Sequence, residues 1–239
     1  MSVQYQQETD EAVEYSEPSA PLPIYTIVLI VGIGCVFVAQ LATGLRISAD
    51  IAGFDKPAFR SGQYWRILTG AALHGSPLHV LMNCYAFYSF GRITEMLSNR
   101  AHLAIVFLLA AIGGGVLSLI VMPDGLSVGA SGGIVGVVGY LAVYAFRRRQ
   151  FVSAEFRKSL LINIGIVLAF GLFLMGSVDN AAHIGGLLTG AVYAFIQIPT
   201  DEYVDPRSAS SVVSVAGLIS LGVYLATCAF SILVLLRLV

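Results

Sequence analysis

The sequence predicts an all-α polytopic membrane protein. Composition is the first ground for this: 57% of the 239 residues are hydrophobic, 11% are charged, and mean hydropathy is +0.83. A soluble domain carries about 25% charged residues. The second ground is patterning. Seven apolar runs approach the roughly 20 residues that cross a bilayer as a helix. Runs so uniformly apolar do not suit barrel strands, and a helix satisfies its own backbone polar groups in lipid. The third is the lack of any competing signature. A formal net charge of −1 argues against nucleic acid as a partner. Cys35, Cys84 and Cys228 lie in apolar runs and fit no disulfide framework.

Residues 1–22 read as a disordered acidic tail, with Glu8, Asp10, Glu11, Glu14 and Glu17 and no Lys or Arg. A cleaved secretory signal opens on a basic stretch, so the first run, Leu22–Leu45, reads as an uncleaved anchor. The loop after it, with Arg46, Lys56, Arg60, Arg66 and His74, is long enough to be structured. Trp65 and Arg66 close that loop and are residue types that favour a membrane interface. His74 reads as a structural hydrogen-bonder. The second and third runs are Leu78–Leu97 and Ala101–Met122, with His102 at an interfacial end.

The fourth run, Ser131–Phe146, is about 16 residues long, short for a span. Ser131 is therefore expected below the membrane surface, under a depression that water can fill. Arg147, Arg148, Arg149, Arg157 and Lys158 then precede the fifth run, Leu160–Met175. By the bias of Lys and Arg toward cytoplasmic loops, this cluster sets topology, with the N-terminus inside and the C-terminus outside. The sixth and seventh runs are Ala181–Ile198 and Val212–Leu236, joined by a loop holding Asp201, Glu202 and Asp205. The second, fourth and sixth runs then open on the outer side, with His79, Ser131 and His183 at their heads.

Those heads carry the chemistry. A serine hydroxyl is a weak nucleophile until a base takes its proton. Ser131 stands between glycines where a polar loop becomes a helix, and free N–H groups at a helix start favour a developing negative charge. An ionisable side chain in a span faces protein or water, and the imidazole of His183 titrates near neutrality, as a general base should. Asp179, four residues earlier, shares its face, but reads as a loop acid at the outer mouth rather than a triad member. Gly132 and Gly136 form one GxxxG pair, Gly186 and Gly190 another. Such pairs let helix backbones approach closely, which would bring Ser131 to His183. His79 and Asn83 share a helix face and can both donate hydrogen bonds to an oxyanion.

Trp65-Arg66, His79 and Asn83 as HxxxN, Gly129-Ala130-Ser131-Gly132 as GxSG, and Ala182-His183-Ile184-Gly185-Gly186 as AHxxG together resemble the rhomboid family of intramembrane serine proteases. Order, spacing and helix placement agree from about Trp65 to Gly190. The resemblance implies a six-helix rhomboid core over residues 23–198, a cytoplasmic loop over 199–211 and a seventh transmembrane helix over 212–239. It implies Ser131 as nucleophile and His183 as general base and then acid. It also implies an oxyanion held by His79, Asn83 and the Ser131 backbone N–H. No metal, nucleotide or other cofactor is implied. The implied partners are single-span membrane proteins as substrates and the lipid bilayer, in a plasma or inner membrane. One departure is Val135, where many family members carry an aromatic residue able to pack on the histidine. A non-proteolytic member of the fold would lack the serine or the histidine. A small transporter would carry charges along a pathway or internal repeats; no internal repeat is visible, and no charged residue lies deep in the third to sixth runs.

Overall fold

A computed structural model describes residues 22–173, 178–201 and 203–238 of the chain. Residues 1–21 of the acidic tail, Leu174 and Met175 at the end of the fifth run, and Glu202 lie outside the described residues.

The apolar runs form helices: α1 Ile24–Thr43, α5 Pro77–Leu97, α6 Arg100–Val121, α7 Ser131–Arg147, α8 Ala154–Phe173, α9 Asn180–Gln197 and α10 Ser211–Leu235. All but α8, which starts at Ala154 rather than Leu160, begin within two residues of the expected position. The starts have local causes. Ser76 accepts from the His79 N–H ahead of α5, Asn99 from the His102 N–H ahead of α6, and Ser210 from the Val213 N–H ahead of α10. These side-chain oxygens satisfy donors that a helix start leaves orphaned.

Among the described residues, three helices, α1, α6 and α10, are long and apolar enough to cross a membrane by length and composition alone, and α7 is a shorter apolar helix. The site-bearing helices α5 and α9 fall short of that standard because they trade apolar residues for polar ones such as His79, Asn83 and His183. At 1.5 Å per residue, the 17 residues of α7 span about 25 Å, less than the roughly 30 Å of a hydrocarbon core.

The long first loop is structured, with α2 Leu45–Ala52, β1 Phe54–Asp55, α3 Lys56–Arg60 and α4 Arg66–Thr69. Its strand β1 pairs antiparallel with β2, Leu126–Ser127, setting Phe54 opposite Ser127. Trp65 and Arg66 are built into this construction. Arg66 is buried and donates to the carbonyls of Gly53 at 2.9 Å and Asp50 at 3.2 Å. Trp65 packs edge-on against Phe230 of α10 at 5.4 Å between centroids.

Helices α6, α7 and α9 form the centre of the bundle, and glycines set their spacing. A Cβ at Gly186 would collide with the Gly132 carbonyl, and one at Gly190 with the Gly136 carbonyl. Helix α6 adds glycines of its own: a Cβ at Gly114 would stand 2.6 Å from the Ala182 carbonyl oxygen. Helix α10 packs on α1 and α6, and its fully buried Tyr224 donates to the Ala71 carbonyl at 3.0 Å, in the turn ahead of α5. By contrast, the described part of α8 buries little beyond Leu160, which joins Val138, Leu141 and Ala145 of α7.

Two sequence readings gain detail here. His102, in the first turn of α6, is buried against protein, and its Nδ1 lies 2.8 Å from the Tyr193 hydroxyl of α9. The basic cluster, expected to act on topology alone, is bonded into the fold. Arg147 donates to the Ile198 carbonyl at 2.7 Å, and the buried Arg148 donates to Asp201 at 2.6 Å and Val204 at 3.1 Å. A guanidinium offers five donors in a fixed fork, which suits it to gathering the carbonyls of the loop after α9.

Candidate active site

The Ser131 Oγ and His183 Nε2 atoms lie 2.8 Å apart, across the packed faces of α7 and α9. The glycine contacts one and two turns below make that approach possible. Had Gly186 or Gly190 a side chain, the helices would separate and the heads with them. His183 is 7% exposed, and its Nδ1 has no hydrogen-bond partner among the described residues.

Ser131 is the first residue of α7, and the first intrahelical bond runs from the Ile134 N–H to the Ala130 carbonyl at 3.1 Å. The N–H groups of Ser131, Gly132 and Gly133 therefore have no acceptor within the helix. The approach to Ser131 passes through Gly129, whose φ of +135° lies in a region that side chains disfavour. Its N–H donates to the Gly70 carbonyl at 2.9 Å, tying the serine loop to the end of α4.

His79 faces the same point from α5. The Gly75 N–H approaches its Nδ1 at 3.5 Å. This long contact favours the tautomer with the proton on Nε2, the nitrogen beside Gly129. Asn83, one turn on and 7% exposed, donates through Nδ2 to the His79 carbonyl at 3.0 Å. That engages one amide hydrogen and leaves the second. Beside His79 stands His74, 5.0 Å between ring centroids. It is buried, and its ring nitrogens make no well-formed hydrogen bond, only a weaker approach to the Ala72 backbone. Its expected structural role falls instead to its backbone, which exchanges bonds with the Gln40 side chain at 2.8 and 3.1 Å. Burial, reinforced by neighbouring His79, drops the His74 pKa to about 3, so it stays neutral at ordinary pH.

Around these groups lies a cavity of about 370 Å³, lined by His79, Asn83, Ser131 and His183 together with Met82 of α5 and Ile166 of α8. Val135 lines it too.

Asp179 lies just ahead of α9 and borders the cavity. Its side chain caps α9, accepting from the Ala182 N–H at 2.9 Å, and its other oxygen accepts from Ser118 of α6 and Ser127 of β2. Lys56 lies 3.6 Å from that oxygen. Sequence reasoning missed Lys56, Ser118 and Ser127, since one lysine and two serines in loop-like or apolar surroundings carry no spacing signal. The glycines of α6 also went unread, although the run Gly113-Gly114-Gly115 was a visible sign of close packing. No group of three or more His, Cys, Asp or Glu side chains that could hold a metal ion occurs among the described residues.

These helices and this site define a polytopic α-helical membrane protein that carries a hydrogen-bonded serine and histidine at the heads of two closely packed helices. The Rhomboid domain family matches residues 61–200, more than half of the chain. The chain belongs to that family and is an integral membrane protein. It is similar to RHOMBOID-like protein 6, mitochondrial, of Arabidopsis thaliana, 33% identical over 143 residues that make up 59% of this chain and 46% of that one. It is 34% identical over 129 residues to Rhomboid protease GluP of Bacillus subtilis, covering 54% of this chain and 25% of that protein. Rhomboid-like protease 3 of Toxoplasma gondii is 30% identical over 161 residues, 66% of this chain and 61% of that protein. The chain thus spans between a quarter and under two thirds of the length of these relatives.

Proposed function

We propose that the protein is an intramembrane serine endopeptidase that cleaves membrane-protein substrates through Ser131 and His183. The observation that carries this reading is the 2.8 Å approach of His183 Nε2 to Ser131 Oγ. That distance is within reach of direct proton transfer. Two of the similar proteins above are called proteases by name; the setting of the pair in an integral membrane protein supports membrane proteins as substrates, and single-span proteins are the class that the family resemblance implies.

In the proposed reaction an extended stretch of substrate enters the cavity, since a helix engages its own carbonyls. Ser131 Oγ attacks the scissile carbonyl carbon as His183 Nε2 takes the hydroxyl proton. The resulting oxyanion is held by the Ser131 N–H and by His79 and Asn83, donors placed where charge develops. Collapse breaks the C–N bond, and His183 returns the proton to the leaving amine. Water then attacks the acyl-enzyme with His183 again as base, releasing the new carboxylate and restoring Ser131. The short α7 would place this chemistry below the outer surface, with the N-terminus in the cytoplasm and the C-terminus outside.

Labelling with a serine-directed fluorophosphonate tests the assignment. A covalent adduct on the peptide containing Ser131, lost in Ser131→Ala and strongly slowed in His183→Ala, is the expected result. An unmodified Ser131 in folded wild-type protein would remove its role as nucleophile.

A further inference from the structure

Ser127 stands four residues before Ser131, and Asp179 four residues before His183. The Ser127 hydroxyl donates to Asp179 Oδ2, so the segments that deliver Ser131 and His183 are joined twice. One link is Ser131–His183 itself. The other lies upstream, at β2 and at the cap of α9. Lys56, from the first loop, closes on this second link. Its Nζ donates to Ser127 Oγ and lies 3.6 Å from Asp179 Oδ2. Ser118 of α6 donates to the same oxygen. The Asp179 backbone takes part as well, accepting the His183 N–H at 3.2 Å.

The energetics argue that this cluster is kept for geometry. Lys56 is 0% exposed, and beyond the pair its ammonium meets the Ser127 hydroxyl and the Phe54 ring, 5.0 Å from the centroid, with the Asp55 carboxylate adding a weaker attraction. Burying two charges costs several kcal/mol each, and a well-packed apolar replacement is often as stable or more so. What an apolar cluster cannot do is fix direction. Here a chain of directed bonds runs from the first loop through β2 to the start of α9. It sets the distance and angle between the strand leading to the serine and the helix bearing the histidine.

We propose that Lys56, Ser127 and Asp179 are positioning residues, a clasp that sets the relative placement of Ser131 and His183. This rests on the catalytic reading of that pair. Asp179 borders the cavity that holds Ser131 and His183, but the bonds of the clasp run among its own members, and it acts through the two segments it joins. A misplacement of about 1 Å at a reacting centre costs roughly 10²-fold in rate, which sets the size of effect to look for.

The test compares wild type, Lys56→Met, Ser127→Ala and Lys56→Met/Asp179→Asn, purified in detergent and rebuilt in liposomes. Two quantities are read in each: the fraction of protein a fluorophosphonate titrates at Ser131, and the rate constant of that labelling per titrated site. Cleavage of a single-span substrate gives kcat and KM alongside. The expected result is a normal titratable fraction, a labelling rate and kcat reduced together by roughly ten- to a hundred-fold, and an unchanged KM. A merely structural role would lower the titratable fraction and leave the rate per site alone. Should Lys56→Met fail to fold, Ser127→Ala, the loss of one hydroxyl, decides the matter. A wild-type rate per site in Ser127→Ala overturns the clasp while leaving the nucleophile intact. A wild-type protein that is never labelled overturns the catalytic reading on which the clasp rests.

Discussion

His79 and Ser131 converge on the same backbone position. A Cβ built on Gly129 would stand 2.9 Å from His79 Nε2 and 3.7 Å from Ser131 Oγ. The space above Gly129 is therefore where a donor on α5 and a hydroxyl on α7 can meet one substrate carbonyl. Gly129→Ala should fill that space, strain a φ of +135° and push His79 away. The expected outcome is folded protein with cleavage reduced by roughly 10²-fold or more, the cost of losing one oxyanion donor. Circular dichroism and a liposome cleavage assay check the two halves.

His79→Ala and Asn83→Ala each remove a proposed donor. Each should lower kcat by roughly 10²- to 10³-fold while helicity is kept. Of the two, Asn83→Ala should disturb the fold less, since its side chain donates to the His79 carbonyl on its own helix. Unchanged turnover in either variant would remove that residue from the oxyanion site.

The bundle glycines divide into those that are tightly packed and those that are not. A Cβ at Gly190 would collide with the Gly136 carbonyl, whereas one at Gly222 would meet nothing within 4 Å. Gly190→Ala should therefore destabilise by about 1–3 kcal/mol, the usual cost of overpacking. Gly222→Ala should be neutral or stabilising by up to about 1 kcal/mol, as expected when Ala replaces Gly inside a helix. Unfolding of the two variants in the same mixed micelles measures the contrast.

The long helices of the apolar runs, the Ser131–His183 approach and the facing glycine pairs were legible because each leaves a pattern in one stretch of sequence: an apolar run, a GxSG, an AHxxG, a GxxxG. The clasp was not. Lys56, Ser118, Ser127 and Asp179 come from four separate segments, and no local spacing marks them as neighbours. The topology of the first loop brings Lys56 inward by pairing β1 with β2. Without that pairing, a lysine in an outer loop reads as solvated charge. Arg148 and His102 were read only in part for a related reason. A polar residue near a helix end is usually interfacial, and only tertiary packing shows that these two turn inward to carbonyls and a tyrosine hydroxyl.

Asp179 should give the fold an acid-sensitive element. Burial alone would raise its pKa. The bonds from Ser118, Ser127 and the Ala182 N–H, together with Lys56, outweigh that and hold it below the usual 3.8. A carboxyl depressed in the folded state contributes stability above its unfolded pKa and loses it as pH falls through the folded value. The stability difference between wild type and Asp179→Asn should therefore be constant from pH 7 to about pH 5 and shrink below 3.8. Thermal unfolding in detergent across that range checks it, and a difference that grows on acidification would reverse the sign.

The most direct measurement is cleavage of a single-span substrate in liposomes by wild type, Ser131→Ala, His183→Ala and the double variant. Members of one catalytic unit are strongly non-additive. Wild type should cut at one site, and each single variant should be as inactive as the double. Cleavage retained by Ser131→Ala, or losses that multiply in the double variant, would contradict a mechanism in which Ser131 and His183 act as one pair.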